Sequence, residues 1–547
     1  MHVYKSIYTA PELPEQSVFD YLFGHSRKLP REKVALTNYV SKQSMTYGQL
    51  VDACLDLASG LRKVAGLKVG DMILAFSPNS IEYPVVLLGG QAAGLPVSTA
   101  NSAYTPRELA HQIRDSGAKL LLVASDLVPI AQEALKSVDG KIPIYVLPGV
   151  DGKIANISGC KSWEELNKPG SGKGFEHFTL PKDKVKKTMA YLPYSSGTTG
   201  LAKGVELSHH TITSMCCQAP VCPGMALEQD IISATLPFYH IYGLQVLLHN
   251  VLDVRGSLII LPRFDLVQFC QSIQEHKITI AYVVPPMALA LAKHPIIDKF
   301  NLKTLRNITS GAAPLSPELH NALQKRLGKQ TVITQGYGLT ESDSTSHVNP
   351  VHDSRPGTIG PLFVGLEARL VDVETGEDAK EGERGELWMR GPTIMMGYHN
   401  NDKANKETFE GDWLKTGDIA IVRDNWWQIV DRAKELIKTQ GYQVPPAELE
   451  GVLLDCPLVA DSAVIGVWSE ENATEYPRAY IVVDPKAAEG KDVEKEVYDF
   501  VASKVAHYKR LKGGVCVIDV IPKSASGKIL RKDLRERAKK EGLKAKM

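Results

Sequence analysis

Residues 70–147 alternate between short apolar runs and helix-like stretches, and this rhythm narrows the folds open to the chain more than any other feature. Met72 to Phe76 reads as a buried strand, Ile81 to Ala93 as a helix packed on a sheet, and Lys119 to Ala124 and Pro143 to Leu147 as further strands. Thr105-Pro106-Arg107-Glu108 is a helix start: the threonine caps, the proline suits the first turn, and the glutamate reaches back. That helix runs to Ser116, and Gly117 ends it. A β-α-β-α-β order of this kind implies a parallel, doubly wound sheet.

A second α/β stretch runs from about 205 to 340, with Pro285-Pro286 and Gly311 to Pro314 expected at strand ends. From 356 to 432 the texture changes to short strand-like runs: Ala368 to Val373, Gly385 to Arg390, Ile419 to Val422 and Trp426 to Val430. After Asp431-Arg432, helix and strand alternate again, with helices over Pro446 to Leu454 and Asp492 to Lys504 and strands over Ser462 to Val467 and Arg478 to Val483. A chain of 547 residues is too long for one core. The expected organisation is an N-terminal domain over 1–433 and a C-terminal domain over 434–547.

Net charge is +1, so the overall balance does not call for nucleic acid. The eight cysteines show no C-x-x-C spacing and read as free thiols in a reducing compartment. No secretory signal is visible at the start. The longest apolar stretch, Ile278 to Ala292, is short and broken by two prolines, so a soluble protein is expected. The last 25 residues hold ten Lys/Arg against three Asp/Glu and end Ala545-Lys546-Met547. That tripeptide is similar to the Ser-Lys-Leu address, which gives a cytoplasmic or peroxisomal location with a peroxisomal import receptor as partner.

Residues 194–204, Tyr-Ser-Ser-Gly-Thr-Thr-Gly-Leu-Ala-Lys-Gly, follow the strand-like run Met189 to Leu192. Such a loop turns backbone N–H groups, hydroxyls and one cation toward a single anion, here a polyphosphate. A Walker-type P-loop is excluded, because Lys203 stands two positions too late after Gly200 and Val205 replaces the required hydroxyl. In Gly336-Tyr337-Gly338-Leu339-Thr340-Glu341 a tyrosine between glycines suits stacking on a flat base, while Thr340 suits a phosphate and Glu341 suits Mg²⁺. Thr416-Gly417-Asp418 offers a carboxylate to a ribose diol. Lys528 sits on a small-residue loop from which it can reach a phosphate.

Taken in order, these segments resemble the adenylate-forming superfamily, together with Pro-Phe-Tyr-His-Ile-Tyr at 237–242, Asp-Arg-Ala-Lys-Glu-Leu-Ile-Lys at 431–438 and Gly-Lys at 527–528. Gln335-Gly336-Tyr337, Ser310 to Leu315 and Gly441 to Val444 are most similar to the 4-coumarate–CoA ligases within it. The resemblance implies an α/β fold: a large N-terminal domain with two doubly wound, mainly parallel sheets plus a β-rich subdomain, and a small mobile α+β C-terminal domain. It also implies ATP, Mg²⁺ and coenzyme A.

By the same resemblance Ser195, Ser196, Gly197, Thr198, Thr199, Gly200 and Lys203 hold the β- and γ-phosphates. Gln335, Gly336 and Tyr337 serve the adenine, Thr340 the α-phosphate, Glu341 the metal, and Asp418 and Arg432 the ribose. Lys528 balances charge as the acid attacks the α-phosphorus. Rotation about Lys434 then exchanges Lys528 for the face carrying Lys438, Gln440 and Gly441, and the thiol of CoA expels AMP. His240 lies beside the acyl group, whose pocket is assigned Tyr242, Ala313, Gly338 and Gln443. Arg263 meets the CoA phosphates.

The chain departs from the coumarate-ligase pattern at Gln440, where Lys is usual, at Arg263, and in the polar run Ser342 to His347. The expected activity is an ATP-dependent carboxylate–CoA ligase for aryl or arylpropenoic acids, with Tyr242 offering its hydroxyl to a phenol. The alternatives are medium- or long-chain fatty acids, a luciferase-like oxygenase, or a peptide-synthetase-like adenylation unit, the last disfavoured by the absence of a carrier domain.

Overall fold

The computed structural model describes every residue except 1, 25–26, 196–201, 433–434, 440–441, 470–471, 473, 484–491, 525–526 and 546–547, and only the backbone at 432, 438, 442–443 and 544–545. The rhythm of residues 70–147 builds the parallel part of one sheet. Strands Val97–Ala100, Ile73–Phe76, Leu120–Ala124 and Ile144–Leu147 lie side by side in parallel, and Met189–Ser195 joins Val97–Ala100 in the same sense. Lys203–Ser208 folds back antiparallel on Met189–Ser195. Helix Pro106–Ser116 carries the expected capping box, with Thr105 and Glu108 bonded reciprocally, and Gly117 closes it in the left-handed region at φ 62°.

A second sheet has the order Val332–Tyr337, Asn307–Ser310, Ile280–Val283, Ile231–Ala234, Ser257–Ile260 and Val34–Asn38, all parallel, with a short antiparallel strand at each end. Val34–Asn38 pairs with Ser257–Ile260, more than 200 residues away, a partnership no local pattern announces. Residues 367–432 form an antiparallel sheet from Glu367–Val371, Gly385–Arg390, Trp413–Arg423 and Trp426–Arg432, and Tyr4–Lys5 adds an edge. The chain is thus an α/β protein with two large, mainly parallel sheets and a β-rich unit.

Beyond the expected boundary near 433, apolar side chains gather in clusters of their own. One is built on Leu449, Leu453, Val464, Ile481 and Val497, another on Ile465, Tyr480, Ile521 and Leu534. Helix Pro446–Leu454 has the bounds expected for it, and Asp492 caps helix Val493–Lys504. A buried ion cluster ties these pieces together. Arg531 donates to both carboxylate oxygens of Glu450 at 2.7 and 2.8 Å and to Glu435 at 2.9 Å. Removing one partner would leave an uncompensated buried charge, a loss of about 3–5 kcal/mol. Among the described residues no helix is long and apolar enough to cross a membrane. All eight cysteines are unpaired.

Three histidines, His209, His249 and His347, are enclosed in the core with almost no exposure, and His240 stands partly exposed at the cavity described below. Burial holds their pKa values down, to about 3 for His209 and His347 and about 4 for His240 and His249. The folded state keeps each ring neutral, whereas the unfolded chain takes up a proton below about pH 6.5. Their contribution to stability is therefore complete above that pH and is lost as pH falls toward 4, at roughly 3 kcal/mol per ring. The urea midpoint should accordingly drop steeply between pH 7 and pH 5. An unchanged midpoint would show that these rings are not held neutral.

Candidate active site

A cavity of about 830 Å³ opens where the strands of both large sheets end. Ser195 closes strand Met189–Ser195, Gly311 follows strand Asn307–Ser310, and Gly336 and Tyr337 end strand Val332–Tyr337; all four line the space. Carboxyl ends of parallel strands are where open α/β sheets leave a crevice. The β-rich unit supplies a further wall through Glu386, Lys415, Thr416 and Gly417, and the C-terminal region inserts Lys528.

At one end stand Lys203 and Glu341. The Lys203 ammonium lies 4.1 Å from the centre of the Tyr398 ring, and the Tyr398 hydroxyl donates to Glu341 at 2.7 Å. Tyr398 is itself held by backbone pairing opposite Val205, two residues beyond Lys203. One aromatic side chain therefore sets a cation and a carboxylate side by side. Neighbouring His399 pairs with Glu206, and that hydrogen bond raises its pKa.

At the opposite wall the Tyr337 hydroxyl donates to Asp418 at 2.6 Å. Asp418 is buried one residue behind the lining residues Thr416 and Gly417. Arg432 lies opposite Asp418 in strand register. Gly338 is obligatory at its position, because a Cβ there would fall 1.3 Å from the carbonyl oxygen of Ser344. The same loop turns through left-handed Asp343 and Ser344 at φ 51° and 81° before presenting Ser344 and Thr345 to the cavity.

His240 sits on a turn fastened from several sides. Its N–H donates to the carbonyl of Pro237, Phe238 N–H to the side chain of Asn79, and Thr99 to the carbonyl of Tyr239. A π-helical stretch over Tyr242–His249 follows. A Cβ on Gly243 would meet the carbonyl oxygen of Pro237 at 2.0 Å, so only glycine lets this helix pack against the turn. Burial, and secondarily the Lys528 charge, lower the pKa of His240 to about 4, with Glu341 acting the other way. The ring is therefore a neutral hydrogen-bonding group near pH 7.

Of the residues expected at the site, the cavity gathers Ser195, Lys203, His240, Tyr242, Gly336, Tyr337, Gly338, Thr340, Glu341 and Lys528. Gln335 is not among its lining residues; its side-chain oxygen accepts from Leu315 N–H and holds the turn after Ser310. Gly311 and Ala312 form the wall, with Ala313 just behind. Arg263 is exposed and away from the lining. Residues 196–200, Lys434, Gln440 and Gly441 lie outside the described residues, as do Lys546 and Met547 and the side chains of Arg432, Lys438 and Gln443. Tyr398, His399, Glu386 and Tyr282 went unnoticed in the sequence. Gly397-Tyr398-His399 carries no local motif that betrays its pairing with the strand after the loop.

Glu341 offers a buried hard oxygen, and a magnesium ion needs only one or two protein carboxylates when phosphates supply the rest. The donor set fits. Tyr398→Phe would keep the ring beneath Lys203 and release Glu341, so affinity for magnesium nucleotide should fall about tenfold by titration calorimetry. Unchanged affinity would show that the hydroxyl does not position the carboxylate.

A family profile described as "AMP-binding enzyme" matches residues 23–399, and one described as "AMP-binding enzyme C-terminal domain" matches residues 448–528. The "Probable 4-coumarate--CoA ligase 1" of Dictyostelium discoideum is 36% identical over 537 residues, 96% of each chain. Among solved structures, the ATP-bound MatB of Rhodopseudomonas palustris superposes with a TM-score of 0.84 at 28% identity, covering 96% of this chain and 99% of that one. The anthranilate CoA ligase AuaEII in complex with anthranoyl-AMP gives 0.87 at 26% identity, covering 97% and 98%. With a glycine-rich loop, a convergent cavity and full-length similarity in agreement, this chain belongs to the AMP-binding enzyme family.

Proposed function

We propose that the protein is an ATP-dependent acid–CoA ligase that acts on aryl or arylpropenoic acids through an acyl-adenylate. The observation that carries this reading is the meeting of Lys528 with His240, Lys203 and Glu341 around one cavity, although Lys528 comes from the last 20 residues of the chain. Similarity to proteins named for 4-coumarate and anthranilate supports the acid class.

In this reading the nucleotide lies with its base beside Gly336 and Tyr337, its ribose toward Asp418 and Arg432, and its outer phosphates toward Ser195 and Lys203. Glu341 would hold Mg²⁺, which supplies charge neutralisation at the phosphates. The carboxylate oxygen of the acid attacks the α-phosphorus and the bond to pyrophosphate breaks. Thr340 and Lys528 face the charge that develops there, the kind of fixed electrostatic complement that dominates phosphoryl-type transfer. Neutral His240 adds a hydrogen bond without a competing cation. In the second step the sulfur of CoA attacks the acyl carbonyl and AMP departs. The expected division at 433/434 serves this sequence, since Lys528 has work in the first step alone and Lys438 in the second.

Pyrophosphate release across a panel of acids, with and without CoA, tests the reaction. Lys528→Ala should slow adenylate formation at least about 100-fold while sparing thioester formation from synthetic acyl-adenylate. Equal loss in both half-reactions would refute the assignment of Lys528 to the first.

A further inference from the structure

We infer that Glu386 is a positioning residue of the nucleotide site, whose carboxylate holds the turn Thr416-Gly417-Asp418 in the shape that offers Asp418 to the ribose. This role rests on the reading above that places the ribose at Asp418, and it adds the group that fixes Asp418 in place.

Strands Gly385–Arg390 and Trp413–Arg423 run antiparallel, and their register breaks between Glu386 and Trp388. Glu386 lies opposite Ile419 and Trp388 opposite Lys415, so the second strand carries two extra residues across that step. Thr416, Gly417 and Asp418 fall within the interruption. A bulge of this kind bends the strand and re-aims a side chain, and bulges gather beside active sites. Gly417 makes the bend possible, with φ 73° in the left-handed region.

Side chains brace the bulge across the two strands. One carboxylate oxygen of Glu386 accepts from Gly417 N–H at 2.9 Å, and the other accepts from the Trp388 indole N–H at 3.0 Å. The Thr416 hydroxyl donates to the carbonyl of Leu387 at 2.7 Å and accepts from Asp418 N–H at 3.1 Å. Asp418 in turn receives the Tyr337 hydroxyl at 2.6 Å. Glu386, Thr416, Gly417 and Tyr337 all line the cavity, so the braced turn is part of the wall that meets a ligand. Both oxygens of Glu386 are engaged by protein donors, and its influence on the nucleotide therefore passes through the turn. A backbone N–H held by a carboxylate is a charge-assisted bond, stronger than one between neutral groups.

The test is titration calorimetry of the purified full chain with the magnesium complexes of ATP, 2′-deoxy-ATP and 3′-deoxy-ATP, which does not depend on the identity of the acid. The wild-type protein should bind ATP at least about tenfold more tightly than each deoxy analogue, since a site built to hydrogen-bond a hydroxyl rejects the ligand that lacks it. Glu386→Ala should weaken ATP by about tenfold and the analogues far less, bringing the ratio toward one. Glu386→Gln keeps an acceptor within reach of Gly417 N–H and should restore most of the ratio. Glu386→Asp keeps the charge but falls a methylene short; it should lose the ratio, and it decides the matter if the alanine variant does not fold. An unchanged ratio in Glu386→Ala or Glu386→Asp, equal weakening of all three nucleotides, or a Glu386→Gln variant as impaired as Glu386→Ala overturns the inference while the ribose placement stands. A wild-type protein that does not distinguish the three nucleotides overturns that placement and the inference with it.

Discussion

The site turns on Tyr398. Its ring lies under the Lys203 ammonium and its hydroxyl holds Glu341, so one rigid aromatic side chain fixes both a cation and an anion of the site. That side chain is fixed by main-chain pairing between Gly397–Tyr398 and Val205–Glu206, not by side-chain contacts alone. Both charged groups consequently stand ready before any phosphate arrives. Preorganisation of this kind avoids reorganisation at the moment of reaction.

A second constraint is steric. Gly338, Gly243 and Gly311 stand where a Cβ would meet the carbonyl of Ser344, the carbonyl of Pro237 and the ring of Tyr242. Each allows one wall of the cavity to approach another: the base-side loop, the turn carrying His240, and the aromatic floor. The π-helical stretch Tyr242–His249 presents both Tyr242 and Val246 to the cavity.

Much of the architecture was legible because its signals are local. Apolar runs of strand length, a Thr-Pro-x-Glu cap and a terminating glycine act within a few residues of one another, and helix Pro106–Ser116 and strand Gly385–Arg390 fall where such signals put them. The pairing of Val34–Asn38 with Ser257–Ile260 was not legible, because the free energy that specifies it comes from a neighbouring strand far along the chain. Side-chain partners were equally illegible: the Gln335 side-chain oxygen accepts from Leu315 N–H, and the Tyr242 hydroxyl donates to the Thr309 carbonyl.

By itself the sequence determined the chemistry on offer: a hydroxyl- and glycine-rich loop with one lysine, an aromatic between glycines beside a carboxylate, and a distant lysine on a small-residue loop. Residue types and short spacings suffice for that, because donors, acceptors and charges are properties of side chains. Which groups remain available was decided only by the tertiary structure. Desolvation keeps His240 neutral, the Thr309 carbonyl accepts from the Tyr242 hydroxyl, and the buried Tyr282 hydroxyl has no partner among the described residues. Solvent exclusion and the distance to a partner set those outcomes, and both exist only after segments hundreds of residues apart have packed.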